Sequence, residues 1–305
     1  IRDVERSRGL GDVYKRQSQD KQGNILATVS KTSAKIANGK DVRINDFIIM
    51  MDPEKGEILQ EWDLVHMLDS ARYGMTDYDL TSDPFAQSAS NWAHNNGIVE
   101  WGDDYLATAR YQGIFKFNKA GGIEWIISPH GYWRDKYLKL LLNPLHADGT
   151  PITDPEVIAG TKNCDDFEWP WGCHTAVPLP NGHILYFNNG YGRNFKLDFT
   201  DRKNIYTCGI EYEVDEVNRT VRQVWQYGKE RGAAYFTPAR SGVQYLEQTG
   251  NRLICPGMSN VLSNGNRGAR VTEVDPETQD VVFELELEDA IYQRVYRMSL
   301  YPENQ

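Results

Sequence analysis

The chain is poor in cysteine, has no surplus of positive charge and lacks any long apolar run, and each shortage removes a class of protein. Four cysteines (164, 173, 208 and 255) in 305 residues do not make a disulfide scaffold, and no C-x-x-C pair suggests zinc or redox chemistry. Cys164 and Cys173 are nine residues apart and are read either as a bridge or as two free thiols. Lys and Arg total 33 against 43 Asp and Glu, a formal net charge of −10. That balance argues against a general nucleic-acid binder, which needs clustered cations, and against an anionic membrane surface. The longest apolar run, Phe47-Ile48-Ile49-Met50-Met51, falls far short of the roughly 20 residues a spanning helix needs. No secretory apolar segment opens the chain. What is present is 40% apolar and 25% charged residues, the composition of a soluble globular protein with a real core.

Residue 1 is Ile, and the next stretch is polar, basic and unpatterned. Residues 8–17, Arg-Gly-Leu-Gly-Asp-Val-Tyr-Lys-Arg-Gln, resemble translated sequencing-adapter read-through. Residues 1–17 are therefore set aside as non-native, residues 18–305 are read as the folded part, and the chain is expected to be the C-terminal piece of a longer protein.

Those residues repeat. One unit recurs four times: an apolar strand after Gly, Asn or Asp, then a second strand, an acidic or Asn-Gly turn, and a strand carrying Trp or Phe. The turns are Asp52-Pro53-Glu54-Lys55-Gly56, Asn118-Lys119-Ala120-Gly121-Gly122, the stretch from Asp215, and Asp275-Pro276-Glu277-Thr278. Alternating strands between such turns make antiparallel hairpins. Their repetition predicts an all-β fold, a β-propeller of about four blades, ahead of a β-sandwich. Inner strands are expected at residues 23–29, 105–110, 183–187 and 252–255. The spacing predicts a single helix, over residues 134–142, stopped by Pro144.

Two histidines share a register. His94 lies 12 residues before Leu106 and His174 lies 11 before Leu185, while Ser241 lies 12 before Leu253. Equivalent positions in successive blades ring one axis, so these side chains are expected to converge. Each taken singly is better explained as a packed or hydrogen-bonded residue, and only the shared register brings a catalytic reading level with that one. Arg110 and Asn188 or Asn189 end strands in the second and third units, where an ordinary strand-end hydrogen bond competes with a role at the same mouth. No close carboxylate–His spacing offers a metal ligand set, so neither a metal nor a cofactor is expected.

At this point the sequence resembles the bacterial arylsulfate sulfotransferases over about residues 47–305. The carrying segments are Trp92-Ala93-His94-Asn95, Ala109-Arg110-Tyr111-Gln112-Gly113, His174-Thr175-Ala176, Asn189-Gly190-Tyr191-Gly192-Arg193 and Val224-Trp225-Gln226-Tyr227-Gly228-Lys229-Glu230-Arg231-Gly232. The ending Tyr296-Arg297-Met298-Ser299-Leu300-Tyr301-Pro302 is similar too. The resemblance implies a six-bladed propeller in the full-length family, periplasmic, and a homodimer through an N-terminal domain absent here. It implies transfer of a sulfuryl group from an aryl sulfate donor to a phenolic acceptor, the two small-molecule partners. By the same resemblance His94, His174 and Arg193 fall at catalytic positions, with Arg110, Asn189 and Asn260 as substrate-binding candidates. The family's nucleophilic histidine falls in Gly257-Met258-Ser259-Asn260, where Ser259 or Asn260 stands instead, and no His follows His183. The rival expectation is therefore a diverged propeller that binds a small anionic or aromatic ligand without transferring anything.

Overall fold

Each turn brings its own hydrogen-bond chemistry, and that chemistry sets the strand ends. The computed structural model describes residues 17–38, 41–72, 92–196, 200–259 and 268–287. Oδ1 of Asp52 accepts from the backbone N–H of Glu54 and Lys55 at 2.9 and 3.1 Å. Asn118 does the same for Ala120 and Gly122, Asp215 for Val217 and Asn218, and Asp275 for Glu277 and Thr278. A short side-chain oxygen that takes up N–H groups two to four residues ahead fixes a tight reversal. These residues make the same corner in four successive hairpins.

The hairpins build four antiparallel sheets in chain order. The first contains β1 (Gln17–Gln19), β2 (Ile25–Asn38), β3 (Asp41–Asp52) and β4 (Glu57–Asp63). The second contains β5 (Asn95–Trp101), β6 (Asp104–Ala109), β7 (Gly113–Phe117) and β8 (Ile123–Ile127). The third joins β10 (His174–Pro178), β11 (Ile184–Asn188), β12 (Cys208–Asp215) and β13 (Thr220–Tyr227), with β9 (Asn143–Leu145) added parallel to the edge of β13. The fourth contains β14 (Ser241–Tyr245), β15 (Arg252–Pro256), β16 (Ala269–Val274) and β17 (Val281–Leu287). Among the described residues no strand of one repeat is interleaved with another, so the all-β, propeller-like reading holds against the sandwich. One expectation shifts by a strand. The strands expected innermost are the second of each sheet, whereas β1, β5, β10 and β14, the first of each, meet one another in turn.

Packing between sheets explains the Trp at the end of each unit. Trp62 of β4 sits with its ring centroid 4.9 Å from Tyr105 and 5.4 Å from Phe117 of the second sheet, and its Nε1 donates to the Lys119 carbonyl. Trp125 of β8 donates to Glu216 at the third sheet's turn. Trp225 of β13 lies in a core shared with Val243 and Ile254 of the fourth. Burying one such ring contributes about 2–3 kcal/mol, so each unit is held to the next by an aromatic residue as well as by its strands.

The expected helix over 134–142 shrinks to one turn, α2 (Asp135–Leu138), and two other single-turn helices occur, α1 (Leu64–Met67) and α3 (Pro155–Ala159). The residues after α2 are drawn to a sheet edge: Ile126 donates to Leu140, and Leu142 donates to Ile126. Backbone pairing with β8 outcompetes a helix too short to be stable alone. Cys164 and Cys173 are not joined in a disulfide.

Candidate functional site

The first strand of a sheet delivers its leading residue toward the neighbouring first strands, and that is where His174 begins β10. His174 pairs with Phe187, after which a bulge at Thr175 restores pairing at Ala176. In the second sheet Asn95, not His94, holds this place: it pairs with Ala109, and a bulge at Asn96 restores pairing at Gly97. His94 stands one position earlier, with a left-handed φ of 52°. Its backbone N–H donates to buried Asp46, its carbonyl accepts from Arg110, and its ring meets Tyr111 edge-on at 6.1 Å.

His174 is 5% exposed, and its surroundings fix its tautomer. Nδ1 faces two oxygens, Asn189 Oδ1 at 2.6 Å and the Gly172 carbonyl at 3.2 Å. Oxygen acceptors on one ring nitrogen require the proton there, which makes Nε2 the basic nitrogen of the neutral ring. Asn189 is fully buried. Its Oδ1 also accepts from Ser241 and its Nδ2 donates to the Thr237 carbonyl. It holds the His174 ring in place.

The loop Thr237-Pro238-Ala239 gathers the rest. Arg110 donates to the Pro238 carbonyl at 2.8 Å, and Met258 N–H donates to Thr237 Oγ1 at 3.0 Å. The stretch expected to carry the nucleophile is thus tied through Thr237 and Asn189 to His174. Within it, Ser259 is buried and donates to the Pro256 carbonyl. Asn260 lies outside the described residues.

Arg193 takes another course. Its guanidinium forms a buried ion pair with Glu168, donates to the carbonyls of Asn204 and Tyr206, and stacks 3.8 Å from the Tyr206 ring centroid. Glu168 also accepts from the Tyr206 hydroxyl at 2.5 Å. Burial lowers the Arg193 pKa from its ordinary value.

A narrow cleft is lined by neighbours of both histidines. Arg72, Arg110, Tyr111, Trp171, Tyr191 and Phe195 are among its walls, while Arg193 is not. Gly172 and Tyr111, which contact His174 and His94, are wall residues as well. Asn188 fixes the far wall, accepting from Trp171 N–H and donating to the Trp169 carbonyl. Arg110 lies 4.6 Å from the Tyr191 ring centroid. Arg72 was invisible to sequence reasoning because it follows α1 outside the repeat register. It is 2% exposed, donates to the carbonyls of Tyr111, Gly131 and Pro129, and lies 4.5 Å from the Trp133 ring centroid. Burial brings its pKa down to about 9. Asp69 is the carboxylate near enough to act on this charge, while the guanidinium itself donates to carbonyls.

Known proteins align with this chain over nearly its whole length. Arylsulfate sulfotransferase AssT of Escherichia coli O6:H1 is 28% identical over 330 residues, covering 98% of this chain and 54% of that protein. Arylsulfate sulfotransferase AssT of Lelliottia amnigena is 29% identical over 323 residues, covering 96% and 53%. The chain spans about half the length of these relatives. Among solved structures, a candidate 6-phosphogluconolactonase from Bacteroides uniformis aligns with 94% of this chain and 75% of its own at 11% identity, but its TM-score of 0.38 carries no argument. The Arylsulfotransferase (ASST) profile matches residues 8–297. Since that match takes in all four sheets and the cleft between them, the chain belongs to the arylsulfotransferase (ASST) family.

Proposed function

We propose that this chain carries the sulfuryl-transfer site of an arylsulfate sulfotransferase. The observation that carries the reading is the cleft, where Arg72 and Arg110 stand among Tyr111, Trp171, Tyr191 and Phe195 next to His174. An aryl sulfate is a flat ring bearing an anion, and such a cleft offers cations for one end and ring faces for the other. Charge spreads over the sulfuryl oxygens as the bond to the aryl oxygen breaks, so fixed cations there lower the barrier.

His174 Nε2 is suited to take the proton of an acceptor phenol as its oxygen attacks sulfur. The donor's S–O bond breaks, and the proton passes to the departing phenolate. This route is a direct transfer between two bound phenols, because Ser259 and Asn260 are poor nucleophiles without an adjacent base. The same substitution favours a second reading, a propeller that binds an aryl anion without turning it over.

One assay separates the two. Folded protein incubated with 4-nitrophenyl sulfate and phenol should release 4-nitrophenol faster than with no phenol, and His174→Ala should abolish the gain. Binding of the donor with no release would replace the enzyme with the binding protein. Asn260→His adds a third arm: faster release with a sulfuryl group on the introduced histidine means that only the nucleophile was missing.

A further inference from the structure

Between the second and third sheets the chain makes a long insertion, and three side chains of different chemistry meet there. His146 follows β9, and Cys164 and Asp166 come from the loop after α3. His146 Nδ1 lies 3.0 and 3.2 Å from the two Asp166 oxygens, and Cys164 Sγ lies 3.1 Å from Asp166 Oδ1. One donor atom from each of the three lies within 4.8 Å of the others. The groups are half-buried: the thiol packs against the core of the second and third sheets, and the imidazole and carboxylate are each more than a third exposed. Two elements prearrange them. Residues 146–150 form a turn closed by His146 N–H to the Thr150 carbonyl and Gly149 N–H to the His146 carbonyl. The Ala147 N–H, in that turn, donates to Asp166 Oδ2 at 2.9 Å and so aims the carboxylate.

We propose that His146, Cys164 and Asp166 form a zinc site, with water completing a tetrahedral shell. One imidazole nitrogen, one sulfur and one carboxylate oxygen suit a borderline cation such as Zn²⁺ rather than Mg²⁺ or Ca²⁺, which take oxygen alone. Bond lengths near 2.0 Å to N and O and 2.3 Å to S put tetrahedral donors about 3.3–3.6 Å apart. The two separations to Asp166 need to open by only a few tenths of an ångström, and His146 and Cys164 already lie within 4.8 Å of each other. On binding, zinc replaces the protons these groups now share. The Cys164 thiol proton leaves to solvent, and the His146 proton moves from Nδ1 to Nε2, leaving Nδ1 to bind. The site is independent of the transfer chemistry. It ties the turn at 146–150 to the strand of chain leading to Trp169 and Trp171, and so stiffens one wall of the cleft.

The test uses the whole 305-residue chain stripped with a chelator and titrated with Zn²⁺ against a chromogenic competitor. One zinc per chain is expected, and Co²⁺ in its place should give a thiolate-to-cobalt band in the near ultraviolet. Cys164→Ser should lose that band, and both Cys164→Ser and Asp166→Asn should bind zinc about 100-fold more weakly at unchanged circular dichroism. The wild-type chain gives an answer without variants, because zinc should protect Cys164 from alkylation as read by peptide mass spectrometry. Less than one zinc per chain, unaltered binding in both variants, or undiminished alkylation would each overturn the site.

Discussion

Asn189 shows how a residue can matter to chemistry without touching what reacts. Its Oδ1 holds His174 Nδ1 at 2.6 Å, so its removal frees the imidazole to rotate and to change tautomer. Asn189→Ala should lower kcat for 4-nitrophenyl sulfate by about 100-fold with little change in KM, and should distort the pH profile of kcat. Steady-state rates from pH 5 to 9 check this, and a loss confined to folded yield would refute the positioning role. Arg193 bears on stability. Its pair with Glu168 is buried, so Arg193→Leu leaves a carboxylate without its partner and should cost about 3–5 kcal/mol in urea unfolding. Adding Glu168→Leu should recover much of that loss, since a buried pair replaced by packed apolar groups is often neutral.

Among the elements, the turns separate two costs that sequence alone confounds. Gly102 and Gly190 both have φ of 67°, a left-handed conformation that costs a side chain about 1–2 kcal/mol. Gly102 joins β5 to β6 with nothing near the position a Cβ would take. Gly190 follows β11, where a Cβ would collide with the Tyr206 carbonyl and the Arg193 guanidinium. Gly102→Ala should therefore cost about 1 kcal/mol and Gly190→Ala at least about 2 kcal/mol more, in thermal or denaturant unfolding. Equal costs would mean that conformational strain alone sets the price. Gly190→Ala should also disturb Asn189 beside it and so reduce turnover, whereas Gly102→Ala should not.

For the molecule as a whole, stability rests on the seams between sheets. The seam between the third and fourth contains Glu211, which accepts from His183 at 2.6 Å and from Arg252 at 2.7 Å. Burial pushes the Glu211 pKa up, but the hydrogen bonds from Arg252 and His183 outweigh it and hold the group below its ordinary 4.5. The unfolded chain then binds more protons than the folded one as the pH drops. The contribution is full above about pH 4.5 and is lost as the pH falls through the lower folded value. Urea midpoints measured from pH 7 to 3 should show this loss, and Glu211→Gln should flatten it. An unchanged pH dependence in that variant would place the acid sensitivity elsewhere. The outer strands β4 and β17 end the arc of described sheets with Ile58, Leu59, Val282 and Phe283 exposed. Phe283 stands where Trp62, Trp125 and Trp225 stand in the other sheets, and those three bury against the sheet that follows.

The sequence by itself determined the order of strands, the four Asx-type corners and the aromatic residue that closes each unit. All of these are local: a turn is written in the three to five residues that make it, and a repeat carries its register forward. It also placed His174 and Arg110 at strand ends, because strand ends inherit that register. What the tertiary structure decided is everything that depends on which side chains meet across sheets. Strand pairing put Asn95, not His94, opposite Ala109 at the place His174 holds opposite Phe187, and no composition or spacing announces that register. Glu168 captured Arg193 from 25 residues away, and Arg72 entered the cleft from outside the repeat. Pairing with Ile126 cut short the helix that the apolar spacing of residues 134–142 favoured. Period and turn chemistry act along the chain, whereas charge pairing, burial and the shape of a cleft act through space, and only folding brings those partners within reach.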